Sequence, residues 1–248
     1  MSTFALKMTA LVLMVLDHIG FYFPGMPVWF GWLGRAAYPL FLFCMAWGYH
    51  YTKSRKKYLL RLYLMSLFMT ALGWTLDQIF PTESGYGNHN IFVPLLLVGV
   101  LISTVETLCQ DRKRGLWMLC GVVGSQILYS LLPTFVPALR AVSGDVLTGI
   151  VPSLFVNEYG LPFVLLGVLF YFVRERKDLL CAVYLLFCLG EFISEMLEYG
   201  VLSQSFMVLA LPLLLCYNRQ KGRGMKYFFY FFYPAHTALL FFLANRAI

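Results

Sequence analysis

The stretch IFVPLLLVGVLISTVETLCQ, residues 91–110, decides the fold class of this chain. It holds 20 residues and a single charged side chain, that of Glu106. As an α-helix it would be about 30 Å long, at 1.5 Å per residue, which is the thickness of the hydrocarbon core of a bilayer. The run lacks the alternation of apolar and polar residues that is typical of a membrane β-strand. It therefore predicts a transmembrane helix.

Similar apolar runs occupy most of the 248 residues. Hydrophobic residues make up 60% of the chain and charged residues 12%, against about 25% charged residues in a soluble domain. The nine runs are found at approximately 4–23, 33–51, 58–80, 91–110, 116–132, 160–173, 179–195, 201–217 and 228–245. We therefore predict an all-α, polytopic transmembrane helix bundle of about nine spans, which forms a single domain over residues 1–248.

Residues 133–158 do not fit a plain span, because Pro133, Pro137 and Pro152 and two glycines interrupt the apolar residues. We predict that this segment lies on the membrane surface or re-enters it. Irregular backbone at membrane depth requires cover from protein or water.

The basic residues predict the orientation. Of the 19 Lys and Arg residues, 16 fall in alternate loops, counting the adjoining Lys7 and Arg61; only Arg35, Arg140 and Arg246 lie on the other side. Cytoplasmic loops are the basic ones, so we predict a cytoplasmic N-terminus and an outer C-terminus. The formal charge of +7 is split among short loops, which argues for membrane lipid and against nucleic acid as a partner.

Ionisable side chains inside a membrane are costly and are candidates for function. Asp17 and His18 lie in the outer half of the first run. Adjacent helical residues point about 100° apart, so each is expected to meet a partner on another helix. The pair suggests a general base with a group that orients or charges it; the alternative is a structural pair that locks helix packing.

Three further polar residues are candidates for the same polar centre. Arg35 opens the second run and is in reach of Asp17; it suits an anionic group, or alternatively snorkels to the interface. His236 follows Pro234 in the last run, where a kinked helix makes room for ligand or water, and suits a second catalytic or relay histidine. Asn90 begins the fourth run from the outer side and is a candidate for substrate binding.

The densest basic cluster is Lys53-Ser54-Arg55-Lys56-Lys57-Tyr58, followed by Arg61. Ammonium and guanidinium groups bind phosphates strongly. The alternative is ordinary cytoplasmic topology with contacts to anionic lipid headgroups. The sequence has no Gly-rich phosphate loop, no zinc-ligand spacing and no nucleophile elbow, so we predict no metal.

Short segments near both ends of the chain match one known family in order and spacing. They are Lys7-Met8-Thr9-Ala10, Met14, Asp17-His18-Ile19-Gly20, Gly34-Arg35 with Pro39 and Phe41, Gly48, Thr52, Arg55-Lys56-Lys57-Tyr58-Leu59-Leu60-Arg61-Leu62, and Tyr233-Pro234 with His236. On these residues the chain resembles the TraX family, named for a conjugal-transfer protein implicated in N-terminal acetylation of pilin. One departure is that Val93-Pro94 follows Asn90-Ile91-Phe92, where the family tends to have a polar residue.

The resemblance implies a multi-pass acyltransferase of the bacterial cytoplasmic (inner) membrane. It implies acetyl-CoA or another acyl-CoA as the donor, docked at Arg55, Lys56, Lys57, Tyr58 and Arg61. It implies catalytic roles for His18, Asp17 and His236, and substrate-binding roles for Arg35, Asn90 and Tyr233. The acceptor stays unknown: a peptide N-terminus, a sugar or a lipid headgroup, reached from the membrane or the outer side.

Two other classes of function stay open. The first is a proton-coupled transporter or flippase of a small polar or lipid-linked solute, which would use the buried charges as a relay. The broken segment 133–158 supports it, whereas the lack of paired interrupted spans in two matching halves opposes it. The second is a non-catalytic membrane subunit that assembles other proteins.

Overall fold

The structure, a computed structural model, describes residues 1–81, 85–137, 139 and 144–246. Every regular element within these ranges is helical. The α-helices in chain order are α1 (Thr3–Tyr22), α2 (Trp29–Gly34), α3 (Ala37–His50), α4 (Arg55–Ile79), α5 (Phe92–Gln110), α6 (Arg112–Phe135), α7 (Gly144–Ile150), α8 (Gly160–Val173), α9 (Lys177–Glu198), α10 (Leu211–Leu215) and α11 (Lys226–Arg246), with a 3-10 helix at Gln204–Ala210 before α10. The all-α prediction is confirmed.

Six helices of the described chain are long and apolar enough to cross a membrane: α1, α4, α5, α6, α9 and α11. The other three predicted runs form shorter or broken helices. Both α3 and α8 have 14 residues, or about 21 Å, which is less than the thickness of a hydrocarbon core. Run 201–217 is a 3-10 helix followed by a five-residue α-helix. The count of about nine crossings therefore stays a prediction.

Apolar side chains cover the outside of the long helices, as expected of surfaces that face lipid. Helix α6 is the clearest case. Its exposed apolar residues are Leu116, Trp117, Leu119, Val123, Ile127, Leu128, Leu131 and Phe135. Such a surface is incompatible with water along 24 residues, so the structure supports the membrane assignment.

The interrupted segment 133–158 begins inside α6, which continues through Pro133 to Phe135. Residues 138 and 140–143, with Arg140 among them, lie outside the described residues. The short helix α7 then packs on α4, where the Tyr63 hydroxyl donates to the Ile150 carbonyl oxygen over 2.9 Å. Beyond α7, the side-chain amide of Gln126 makes two hydrogen bonds to the turn that follows. Its nitrogen donates to the Pro152 carbonyl oxygen over 3.2 Å, and its oxygen accepts from the Leu154 N–H over 2.7 Å.

The chain divides into two compact units. Residues 1–48 and 169–248 form what we call the terminal unit, and residues 49–168 form the central unit. The single domain predicted from the sequence stays a prediction.

In the terminal unit the first and last helices lie side by side and run in the same direction. The Lys7 ammonium lies 5.4 Å from the ring centre of Phe229 near their starts, and the rings of Tyr22 and Phe241 are 5.9 Å apart near their ends. Thr3 N donates to the Gln220 carbonyl oxygen over 2.8 Å. The beginnings of α1 and α11 are thus held at one end of the unit.

A buried carboxylate joins α9 to the 3-10 helix of the terminal unit. Glu195 is 9% exposed. Its oxygens accept from the backbone N–H groups of Ser203, Gln204 and Ser205 and from the Ser205 hydroxyl. These N–H groups have no partner inside the helix they start, and a negative charge suits that helix end. Glu195 therefore fixes the turn that follows α9.

We expect Glu195→Gln to destabilise the protein by about 2 kcal/mol, because hydrogen bonds to a charged acceptor contribute roughly 1.5–3 kcal/mol. The matched control is Glu198→Gln one turn later, where the exposed carboxylate accepts from the Ser194 hydroxyl over 3.4 Å. Thermal unfolding in detergent measures both variants. Equal unfolding temperatures for the two variants would show that Glu195 does not hold the turn.

Candidate functional site

Two histidines from the first and last helices meet in the terminal unit. His18 Nδ1 and His236 Nε2 are 2.8 Å apart. Both residues are buried, at 6% and 7% exposure. His18 lies in the last quarter of α1, and His236 lies at the middle of α11, two residues after Pro234. The sequence predicted a partner on another helix for His18 and singled out both histidines, but it did not pair them with each other.

Aromatic rings surround the histidine pair. The Phe232 ring stacks on the His236 imidazole at 5.0 Å, with 12° between the ring planes. The Tyr233 ring meets the His236 ring edge-on at 5.6 Å and the His18 ring at 6.4 Å. Of the residues predicted to share this centre, the structure brings His18, His236 and Tyr233 together. The apolar surroundings strengthen the electrostatic interactions of the pair.

The hydrogen bonds assign the protons of the pair. His236 Nδ1 lies 2.9 Å from the Phe232 carbonyl oxygen. Because a carbonyl oxygen only accepts, Nδ1 carries a hydrogen, and neutral His236 has its lone pair on Nε2. His18 must then donate from Nδ1, which leaves the basic lone pair of neutral His18 on Nε2. The pair can take up one proton and keep its hydrogen bond, whereas a second proton would place two N–H groups face to face.

Asp17, the neighbour of His18, pairs with Arg35 as the sequence predicted. The Arg35 guanidinium lies 3.7 Å from Asp17 Oδ1. Gly34 permits this contact, because a Cβ atom there would stand 2.2 Å from the Cβ of Asp17. The buried Nε of Arg35 has no hydrogen-bond partner among the described residues. This leaves a guanidinium donor next to Asp17 that suits an anionic or carbonyl oxygen.

Asn90 lies in the central unit. It is 7% exposed, and its amide nitrogen donates to the Ser66 carbonyl oxygen over 3.0 Å and approaches the Thr70 hydroxyl at 3.3 Å. The Ser66 carbonyl fixes the orientation of the amide, because a flipped amide would set two acceptor oxygens against each other. Asn90 Oδ1 is buried and has no hydrogen-bond donor in the part of the chain that the structure describes.

The predicted donor-binding residues lie at the start of α4 in the central unit. Arg55 forms a two-point ion pair with Glu106 of α5. The Arg61 guanidinium lies 5.7 Å from the Tyr58 ring centre. Lys56 and Lys57 are exposed. Among the predicted donor-binding residues the exposed charges are therefore the two lysines, while Arg55 ties two helices together.

Sequence reasoning missed the partners of Arg55 and of Asn90. Glu106 is the counter-ion of Arg55. The available signal was that Glu106 is the only charged residue in the apolar stretch 91–110, where a charge is costly without a partner. Ser66 and Thr70 hold Asn90 from one face of α4, and nothing in their sequence context indicates this. Across the described residues, no three His, Cys, Asp or Glu side chains gather into a metal site.

Comparisons with known proteins cover nearly the whole chain. The family described as "TraX protein" matches residues 2–244. A curated relative, the probable fimbrial assembly protein FimC of serogroup H1 from Dichelobacter nodosus, is 27% identical over 259 residues, which cover 96% of this chain and 94% of the relative. No solved structure matches the chain.

Proposed function

Because the chain belongs to the TraX family, we propose that it is a membrane acyltransferase that moves an acetyl or other short acyl group from cytoplasmic acyl-CoA to an amine or hydroxyl. Family membership confirms the resemblance found in the sequence. The name of the relative suggests a role in pilus or fimbrial assembly, and we extend that role to this chain. The observation that carries the chemistry is the buried His18–His236 pair between two membrane helices.

In the proposed reaction, His18 Nε2 takes a proton from the acceptor amine or hydroxyl as the nucleophile attacks the thioester carbonyl. The new C–N or C–O bond forms, the C–S bond breaks, and the proton passes from the imidazolium to the departing thiolate, which leaves as free coenzyme A. His236 holds the tautomer of His18 through its Nε2, in the way that an orienting group acts on a general base. Asp17 adds a negative charge one residue from the imidazolium.

The substrate contacts in this proposal follow the family resemblance. Arg35 and Tyr233 contact the reacting groups beside the histidines, and Asn90 binds substrate in the central unit. Lys56 and Lys57 bind donor phosphates at the start of α4, where helix N–H groups add to the attraction. Arg55, Tyr58 and Arg61 order that end of the helix. The acceptor is a peptide N-terminus, a sugar or a lipid headgroup.

The proposal also includes the finer topology: about nine crossings of the bacterial inner membrane, with a cytoplasmic N-terminus. The parallel course of α1 and α11 supports this topology. The starts of both helices then lie on one face of the membrane, together with the basic residues of loop 219–226, as expected of the cytoplasmic face. This arrangement is tested by fusing to each loop in turn a reporter that is active only in the cytoplasm.

The experiment that tests the reaction is turnover of acetyl-CoA by the purified protein. We expect acetyl-CoA binding by calorimetry and slow release of free thiol, which a reagent for thiols detects. Absence of binding for acetyl-CoA and for longer acyl-CoAs would refute the proposal.

We expect the double variant Lys56→Gln, Lys57→Gln to weaken acetyl-CoA binding about tenfold, because two charge-assisted phosphate contacts are lost. The matched control is Arg112→Gln, Lys113→Gln in another basic loop at a helix start. Dephospho-CoA, which lacks the 3′-phosphate, tests which phosphate the lysines bind. If they bind the 3′-phosphate, the double variant loses less affinity for dephospho-CoA than for acetyl-CoA. Equal losses in both double variants would indicate a general surface-charge effect instead of a site.

The second candidate function is a proton-coupled transporter or flippase. The capacity of the histidine pair for one proton favours it, because a relay needs a group that gains and loses one proton without losing its structure. Solute uptake into liposomes driven by a pH gradient, without acyl-CoA, would support this function over acyl transfer.

A further inference from the structure

We propose that the terminal unit binds the phosphate of an anionic phospholipid where α1 and α11 begin. The site is formed by Lys7 of α1 and by Lys221 and Arg223 of the loop before α11. Lys7 belongs to the first of the segments that match the TraX family, and the proposed function gives it no role. The inference concerns lipid binding alone and does not depend on the acyl-transfer reaction.

Lys7 lies in the contact between α1 and α11, on the same face of α1 as His18. The two residues are 11 positions apart, which is about three turns of an α-helix. Lys7 is half-buried, and its ammonium stands 5.4 Å from the centre of the Phe229 ring. Leu11 and Met14, which lie on the same face, are buried. The charge of Lys7 is therefore placed at the edge of an apolar contact between two helices.

In the part of the chain that the structure describes, none of the three cations of the site pairs with a carboxylate. Residues 1–16 and 199–248 contain no Asp or Glu at all. Neighbouring cations differ: the Arg176 guanidinium pairs with the Asp178 carboxylate over 3.0 Å, and that of Arg219 donates to a backbone carbonyl oxygen over 2.8 Å. A phosphate would supply the missing negative charge, because ammonium and guanidinium groups form strong hydrogen bonds to phosphate oxygens.

The loop that carries two of these cations is held against the first turn of α1. The Phe4 backbone N–H donates to the Lys221 carbonyl oxygen over 3.1 Å. Gly222, with a φ of 70°, permits this approach, because a Cβ atom there would stand 2.8 Å from the Cβ of Phe4. Phe4 precedes Lys7 by three residues, so the backbone of Lys221 lies about one helical turn from Lys7. Arg223 follows two residues later and completes the cluster.

The level of the site in the membrane favours a lipid over a soluble phosphate compound. Helix α1 has 20 residues, or about 30 Å at 1.5 Å per residue, which is the thickness of the hydrocarbon core. Its start therefore lies at the level of the lipid headgroups, which the ammonium of Lys7 reaches on its long stem. Tyr227, in the first turn of α11, is 74% exposed, as is typical of aromatic side chains at this level. Basic groups between helices at the membrane surface suit the phosphates of anionic lipids.

The test is native mass spectrometry of the whole chain in a neutral detergent, titrated with phosphatidylglycerol or with phosphatidylcholine of the same acyl chains. Phosphatidylglycerol carries a net negative charge and phosphatidylcholine carries none. We expect phosphatidylglycerol to bind about tenfold more tightly, and Lys7→Gln to weaken its binding about fivefold, the contribution of one basic residue at a membrane surface. The double variant Lys221→Gln, Arg223→Gln should weaken it further, whereas Lys7→Arg keeps the charge and should retain binding.

The matched control is Arg176→Gln, which removes the same charge from an exposed residue that has a carboxylate partner. It should bind phosphatidylglycerol like the unchanged protein. Equal affinity for the two lipids overturns the proposal, and so does an equal loss of affinity in Lys7→Gln and Arg176→Gln. Acetyl-CoA tests the soluble source of phosphate: if it displaces bound phosphatidylglycerol, the site belongs to a soluble compound and the lipid assignment is refuted.

Thermal unfolding without added lipid shows whether each variant is folded. If Lys7→Gln unfolds at a lower temperature than the unchanged protein, the double variant Lys221→Gln, Arg223→Gln decides, because both of its residues are exposed on the loop. Unchanged binding of phosphatidylglycerol by that folded double variant would refute the site.

Discussion

Replacing His18 with asparagine is expected to reduce acetyl-CoA turnover about 10³-fold, within the 10²–10⁴ range of general acid–base catalysis. The asparagine amide stands near the position of imidazole Nδ1. It can still donate to His236 Nε2, which lies 2.8 Å from His18 Nδ1 in the structure. The variant therefore keeps the helix contact and loses the basic Nε2. Release of free thiol from acetyl-CoA, at matched protein concentration, measures the effect.

The structure offers a partner variant and a control for this experiment. His236→Gln places an amide near the position of Nε2 and tests the orienting role. Because the two histidines act as a unit, the double variant is expected to lose little more activity than His18→Asn alone. His50→Ala removes a histidine outside the pair and should retain activity. Full turnover by His18→Asn would exclude His18 as the base.

Gly34→Ala is expected to destabilise the terminal unit strongly. The added Cβ would stand 2.2 Å from the Asp17 Cβ and 2.3 Å from its Oδ1. Rotating the Asp17 side chain cannot relieve the first contact, since a Cβ atom moves only with its backbone. Overpacking costs about 1–3 kcal/mol where neighbours can adjust, and we expect the upper end of this range or more.

The matched control is Gly31→Ala in the same short helix, where a Cβ meets nothing within 4 Å. Gly31→Ala should keep the unfolding temperature or raise it slightly, because alanine is the better helix former. Thermal unfolding and gel filtration in one detergent compare the two variants. If Gly34→Ala unfolds at the same temperature as Gly31→Ala, then α1 and α2 do not approach as closely as described.

Hydropathy predicts the helical fold because a bilayer leaves few solutions for the backbone. The same property hides the start of α3, whereas the bounds of α8 match the predicted run 160–173. The residues before α3 are apolar too, so the run 33–51 includes both the end of α2 and Ala37–His50. Breaks of this kind depend on tertiary packing, which composition does not record.

The candidate site follows a similar pattern. Charged and polar residues in apolar runs identify His18, Arg35 and His236, because burying such groups is costly without a purpose. Of the contacts among these residues, only the pairing of Asp17 with Arg35 could be predicted, because the two are close in sequence. The contact of His18 with His236 joins residues 218 positions apart, and only the fold determines it.

That separation has a consequence for biosynthesis. Membrane helices are inserted as the chain is made, so His18 enters the bilayer with the first helix and His236 with the last. The pair comes into existence only once α11 lies beside α1, when nearly the entire chain has been translated. A nascent or truncated protein would carry a lone histidine and no oriented base. If the pair is the base of the proposed reaction, incomplete chains would therefore lack that activity.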